Sequence, residues 1–151
     1  MKKIIIFCAI LMAISLSGCS NAKMANLQII NEQKFASVDV ECDKSKKENQ
    51  ELEIAIRKQL QEQQIKFGDD LQIKCFFDKY DEGNRFLRWL IGIVGRGESN
   101  AQFKLYDMSN SEVASFEISD FIAGGIFGGK ADFVNETAKE VVKIIKEKFI
   151  E

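Results

Sequence analysis

The sequence of 151 residues contains no histidine and no proline. Without histidine, the chain cannot form a Ser-His-Asp or Cys-His catalytic group, a zinc site with histidine ligands, or a haem site with a proximal histidine. Basic residues are also slightly outnumbered, with 21 lysines and arginines against 23 acidic residues and a formal net charge of -2. We therefore expect no binding to nucleic acid, which proteins contact through basic surfaces.

The N-terminus has the organisation of a secretory signal. Lys2 and Lys3 are followed by an apolar segment of 13 residues, 4–16. At about 1.5 Å per residue a helix of this length spans about 20 Å, which is less than the ~30 Å hydrocarbon core of a bilayer. We therefore predict that residues 1–18 are a cleaved signal peptide and not a permanent membrane helix.

The apolar segment ends in Leu16-Ser17-Gly18-Cys19, which resembles the lipobox of bacterial lipoproteins. In that motif small residues admit the peptidase, and the cysteine thiol takes a diacylglyceryl group. The alternative is a plain secretory signal with a chance cysteine. The resemblance implies lipidation of Cys19, and two or more acyl chains anchor a protein stably. The resemblance to lipoproteins of two-membrane bacteria also implies that Ser20, in place of aspartate, directs sorting to the outer membrane, facing the periplasm. Residues 19–33 are predicted to be the lipidated cysteine and a tether.

Two of the four cysteines remain as a pair after this processing. Cys8 would be removed and Cys19 acylated, which leaves Cys42 and Cys75. Each lies on the apolar side of an alternating run, so we expect both to face the core from strands. Two readings stay open: a disulfide between neighbouring strands, which an exported domain permits, or two buried free thiols packed as small hydrophobic side chains.

Hydrophobic periodicity predicts six elements within a single domain, residues 34–151. Alternation predicts strands at 35–41, 71–80, 100–107 and 113–118, and a 3.6-residue period predicts one helix after residue 45 and one after residue 132. Ser45 and Glu48 match a capping box, and Asp132 is expected to cap the last helix. The order β-α-β-β-β-α predicts an α+β domain, a mostly antiparallel sheet with two helices packed on one face.

The segment 85–96 combines apolar bulk with three arginines and the only tryptophan of the chain. It lies between two predicted strands, where a connection is normally exposed and polar. One interpretation is a short buried strand or helix that closes the core. The other is a docking patch for a partner or a membrane, because Trp and Arg are enriched in both settings. The candidate docking residues are Arg85, Phe86, Arg88, Trp89 and Arg96.

Residues that could support enzyme chemistry are few. Gly124, Gly129 and Lys130 fit the spacing of a phosphate-binding loop, but Ala131 replaces the hydroxyl residue that would hold Mg²⁺. The paired acids of the chain lie in turn sequences, where a solvated turn is the simpler reading. We predict no cofactor and no metal site, and we expect that the protein is not an enzyme.

Several features together resemble a domain-of-unknown-function family of small bacterial lipoproteins. They are the lipobox, the strand at 71–80, the run 85–89, the glycines at 92, 95 and 97, the Leu105-Tyr106-Asp107 strand end, and the glycine-rich stretch before an amphipathic helix. That family often has a Thr-Gly turn after the aspartate, whereas here the turn is Met108-Ser109-Asn110-Ser111. The resemblance covers about residues 34–149. It implies an envelope lipoprotein and brings no catalytic residues.

The sequence thus predicts a lipid-anchored envelope protein that binds an envelope protein partner or supports an assembly. Its contacts would be the membrane, through the lipid on Cys19, and that partner, with no nucleic acid. The alternative is a small-ligand carrier or an enzyme with an aromatic cavity formed by Phe76, Phe77, Trp89 and Phe103. A carrier should show a formed pocket of several hundred Å³, whereas a scaffold should show a flat apolar patch.

Overall fold

The computed structural model describes residues 22–84, 87, 96–122 and 132–151. Its elements in chain order are β1 Lys23–Ile29, β2 Val38–Cys42, α1 Lys47–Glu62, β3 Leu71–Asp81, β4 Gly97–Asp107, β5 Glu112–Ile122 and α2 Phe133–Lys148. The strands form one sheet in the order β1-β5-β4-β3-β2. β2 and β3 are parallel, and the other neighbouring pairs are antiparallel. The predicted α+β class with a mostly antiparallel sheet is confirmed.

Both helices pack on one face of the sheet and enclose the core. α1 contacts β2 and β3, α2 contacts β4 and β5, and the two helices contact each other. Alternate residues of the central strands point toward the helices and are buried, including Phe77, Phe103 and Phe116. The rings of Phe103 and Phe116 stack with centroids 5.2 Å apart. Neither described helix is long and apolar enough to cross a membrane.

Strand β1 differs from the sequence prediction. Residues 19–33 were expected to form the lipidated cysteine and a tether, yet residues 23–29 pair with β5 as an antiparallel edge strand. The register shifts between Ala25 and Gln28, and Asn26 has a φ of 54°. This bulge breaks the regular alternation by which a strand is recognised in a sequence. Ordered structure therefore begins upstream of residue 34.

The start of β2 also differs from the prediction of a strand over 35–41. Phe35 forms an isolated bridge with Ile150, and its N–H donates to the carbonyl of Phe149 at 2.8 Å. The regular strand therefore starts three residues later, at Val38. Phe35 is 4% exposed, so its apolar character reflects burial against the end of the chain and not a place in the sheet.

The two helix caps have different outcomes. The prediction of a capping box at Ser45 is wrong, because the N-cap residue of α1 is Lys46, which makes no side-chain cap. The Ser45 hydroxyl instead donates a hydrogen bond to the Asp43 carboxylate at 2.7 Å. Asp132 caps α2 as predicted, and its carboxylate accepts the N–H of Asn135 at 3.4 Å. A cap satisfies backbone donors that the first helical turn leaves unpaired.

Side chains of α1 close the outer edge of β2. The N–H of Cys42 donates to the Glu53 carboxylate at 3.0 Å, and the Arg57 guanidinium donates to the carbonyl of Val40. Arg57 also forms an ion pair with Asp39, with 2.8 Å between nitrogen and oxygen. An edge strand normally offers unpaired N–H and C=O groups to other strands. These contacts occupy such groups on β2.

Candidate functional site

Most of the residues that the sequence singled out as sites lie outside the described part of the chain. These are Cys19, Arg85, Phe86, Arg88 and Trp89. Arg96 is described, and it is exposed directly before β4. Lipidation and docking at these positions remain predictions.

Cys42 and Cys75 are joined by a disulfide. They are register partners in the parallel pair β2–β3, and their Cα atoms are 4.4 Å apart. Both residues are 2% exposed, so both side chains lie in the core, as their parity predicts. The bond joins two positions 33 residues apart and ties β2 to β3 across the intervening helix α1.

A cleft of about 610 Å³ lies beside the end of β2, on the sheet face that points away from the helices, here named the open face. The register places Glu41 beside Lys74, and Lys74 beside Lys104. The Lys74 ammonium lies 5.0 Å from the centroid of the Tyr106 ring, a cation–π contact. Exposed Phe76 lines the same cleft. Sequence reasoning missed this group, although the polar parity of β3 and β4 is a signal that locates it.

The cleft is open and its charged groups are solvated. Phe76 is 41% exposed, and the side chains of Lys74 and Lys104 are also exposed. A small-molecule site usually buries most of its ligand among apolar side chains. This arrangement of basic and aromatic groups therefore suits contact with another surface better than enclosure of a small molecule.

The aromatic cavity of the alternative prediction is not formed by its described members. Phe77 and Phe103 are each 1% exposed on the face that the helices cover, whereas Phe76 lies on the open face. Successive residues of a strand point to opposite faces of a sheet, so Phe76 and Phe77 cannot line one cavity. Trp89, the fourth member, lies outside the described residues. The prediction is wrong for these three phenylalanines.

Tyr80 is a half-buried ionisable side chain at the rim of the core. Burial raises the pKa of its hydroxyl well above the ordinary value, and the nearby negative charge of Glu82 raises this pKa further. The Glu82 carboxylate accepts a hydrogen bond from the hydroxyl at 3.2 Å. The ring lies 4.9 Å from Phe77 and 6.0 Å from Phe133, measured between centroids. Tyr80 thus stays protonated at neutral pH and packs between the sheet and α2.

Metal ligands do not converge in the part of the chain that the structure describes. Over residues 22–84, 87, 96–122 and 132–151, no group of three or more cysteine or acidic side chains is arranged to hold a metal ion. Asp43 is an exposed acid with a local structural role. Its carboxylate accepts hydrogen bonds from the Ser45 side chain and N–H, and these bonds lower its pKa.

One end of the sheet gathers several strand termini, and we name it the N-proximal end. Lys23, the first residue of β1, pairs with Ser119 near the end of β5. Gly97, the first residue of β4, pairs with Ile122, the last residue of β5, and β3 ends beside the start of β4. The connections 85–95 and 123–131 are therefore both joined to strands at this end. The opposite end carries the β4–β5 turn, residues 108–111, and we name it the hairpin end.

Comparison with solved structures finds distant likenesses. Two are PelC dodecamers from Paraburkholderia phytofirmans. One is 12% identical with a TM-score of 0.47 and covers 82% of this chain and 95% of that chain; the other is 10% identical with a TM-score of 0.48 and covers 88% and 100%. A candidate lipoprotein from Caulobacter crescentus CB15 is 12% identical with a TM-score of 0.43, covering 74% and 86%. No curated protein matches the chain.

A family profile matches residues 23–125, more than half of the chain. The match starts at the first residue of β1 and includes all five described strands. Its description is a domain of unknown function, which agrees with the family type that the sequence resembles. The chain therefore belongs to the domain-of-unknown-function family DUF4410.

Proposed function

We propose that the protein is a lipid-anchored lipoprotein of the bacterial envelope that binds a protein partner and is not an enzyme. The observation that carries the proposal is Leu16-Ser17-Gly18-Cys19 after an apolar segment of 13 residues. Acyl chains on Cys19 hold the domain at the outer membrane, facing the periplasm, as Ser20 favours. The Cys42–Cys75 disulfide supports export, because disulfides persist in oxidising compartments.

The described surfaces support binding over catalysis. Asn49, a polar side chain that is 1% exposed, is used structurally: its carbonyl oxygen accepts the N–H of Phe77 at 2.8 Å. The open-face cleft around Lys74 and Tyr106 offers charge and aromatic surface without an enclosed reaction chamber. Partner surfaces commonly combine aromatic and basic side chains in this way.

The anchor is tested by Cys19→Ala. This change removes the only sulfur that the lipobox would acylate, so labelled palmitate should not be incorporated, and the precursor should stay uncleaved or appear as a soluble form. The control is the double variant Cys42→Ala/Cys75→Ala, which should still take up label. Wild-type protein that takes up no palmitate contradicts the lipoprotein assignment.

The partner-binding surface that we propose is the segment 85–96, which joins β3 to β4 at the N-proximal end and finishes in exposed Arg96. It is tested by Trp89→Ala, with Phe67→Ala as the control, because Phe67 is a 49% exposed aromatic residue outside this segment. An interface tryptophan costs about 2 kcal/mol or more of binding when truncated, so partner recovery by crosslinking in membranes should fall.

The stability of the same variant separates docking from core packing. A buried tryptophan leaves a cavity when truncated and costs ~3–5 kcal/mol of the free energy of unfolding, whereas an exposed one costs little. An unchanged denaturation midpoint with lost crosslinking supports docking. A large fall in the midpoint moves Trp89 into the core, and unchanged midpoint and crosslinking together remove it from the partner surface.

A further inference from the structure

We propose that the N-proximal end of the sheet rests on the lipid surface, with Phe121 at the membrane interface. The proposal rests on the proposed function, because it needs acyl chains on Cys19. It commits the domain to one orientation, in which the strands of the sheet run away from the membrane and the hairpin end is the most distant part of the sheet.

The length of the chain between the anchor and the domain is the first argument. Ala22 is partly buried against the core, and β1 starts at Lys23. Only three residue steps separate Cys19 from Ala22, and a fully extended chain covers about 11 Å in that distance. A tether of 15 residues, as the sequence suggested, would let the domain tumble freely. The folded strand β1 leaves too little chain for that.

The register decides which end of the domain this short connection reaches. Lys23 pairs with Ser119, so the start of β1 lies beside the last part of β5, only two residues from Phe121. The β4 strand has 11 residues, so the hairpin end lies about 33 Å farther along the sheet. The anchor can therefore hold the N-proximal end at the lipid surface, whereas the hairpin end stays well beyond its reach.

The chemistry of the N-proximal end suits shallow contact with lipid. Phe121 is 47% exposed and Met24 is 36% exposed, which supplies apolar surface, and Lys23 at the start of β1 is an exposed basic residue. Membrane-interface segments combine apolar side chains with a basic rim. This end also carries acids, namely Asp81, Glu82 and Glu98, with Glu98 paired to Lys79. Because acids offset the bases, the contact should rest on apolar burial and not require anionic lipid.

The test uses single-tryptophan variants of the processed protein, which begins at the lipidated Cys19. Trp89→Phe removes the native indole, and either Phe121→Trp or Met108→Trp adds one. Met108 is the matched control, because it is 77% exposed and lies in the turn at the hairpin end. The proteins are reconstituted in vesicles of phosphatidylethanolamine, phosphatidylglycerol and a phosphatidylcholine brominated on its acyl chains. Urea denaturation first checks that both variants are folded.

Brominated lipid should reduce the emission of the indole at position 121 about twofold or more, since an interfacial side chain lies within ~5–10 Å of the acyl boundary. The indole at position 108 should keep its emission. The difference should persist when phosphatidylglycerol is left out, and its loss under that condition overturns the apolar contact.

Equal quenching by brominated lipid at the two positions, in protein that floats with the vesicles, overturns the orientation and leaves the anchor standing. An indole at position 121 that neither brominated lipid nor aqueous iodide quenches is shielded by protein and not by lipid, which also overturns the proposal. Protein that takes up no palmitate and does not float refutes the anchor and the orientation together.

Discussion

Loss of the Cys42–Cys75 disulfide should destabilise the domain chiefly by freeing the unfolded chain. The bond joins positions 33 residues apart. In the chain-entropy model, closing a loop of that length contributes about 3.7 kcal/mol at 25 °C, and measured effects are typically 2–4 kcal/mol. Both residues are buried, so the reduced thiols would still pack as small hydrophobic side chains. The expected loss is a large share of the ~5–15 kcal/mol that stabilises a domain.

The assay is urea denaturation of oxidised wild-type protein, reduced wild-type protein and the double variant Cys42→Ala/Cys75→Ala. Reduction should lower the free energy of unfolding of the wild type by about 2–4 kcal/mol. Reductant should leave the double variant unchanged, which controls for effects outside this bond. Mass spectrometry under non-reducing conditions that finds two free thiols, in protein recovered from an oxidising compartment, would show that the bond does not form. Equal stability of the oxidised and reduced forms would show that the bond does not stabilise the domain.

Two further predictions concern the sheet and its turn. Phe103→Ala should lower the free energy of unfolding by ~3–5 kcal/mol, because Phe103 is buried in the core. Phe76→Ala on the open face should change the free energy of unfolding by about 0.5 kcal/mol or less. Urea denaturation of both variants measures these losses, and equal losses would contradict the two-faced sheet. The pKa of Asp107 is lowered chiefly by the hydrogen bond from the Ser109 side chain and, to a smaller extent, by the one from the Ser111 N–H. The ionised Asp107 carboxylate therefore stabilises the folded protein above about pH 4, and this contribution is lost as the pH falls through the lower pKa of the folded state. Asp107→Asn should therefore have a lower thermal midpoint than the wild type at neutral pH, and the difference between the two midpoints should shrink in acid. A difference that stays constant from pH 7 to pH 2 would contradict this role of Asp107.

Alternation and helical periodicity predicted the core of the fold because they report directly on burial. The apolar parity of β3, which includes Cys75 and Phe77, is the parity that faces the helices. Asp132 identified the start of α2, since a cap is a local interaction that a short stretch of sequence contains. The same alternation places Phe76 and Phe77 on opposite faces of β3, which excludes an aromatic cavity that contains both.

Features that depend on pairing between distant residues could not be predicted in this way. β1 is held by its register with β5, and its bulge at Asn26 hides the alternation that marks other strands. The cation–π contact between Lys74 and Tyr106 depends on the register of β3 against β4, which no local pattern specifies. Ser45 matched a capping box by composition, but its hydroxyl binds the nearer Asp43 carboxylate instead.

The covered edge of β2 limits how copies of this sheet can join. Glu53 and Arg57 occupy backbone groups on that edge, whereas β1, at the other side, has a strand neighbour on one side only. A sheet that is open at both edges can add copies without limit and grow into a fibre. These contacts disfavour pairing at the β2 edge, so edge-to-edge pairing through β1 would end at two copies. On the membrane surface that we propose for the protein, where copies would be concentrated, this asymmetry would limit pairing of sheets to dimers.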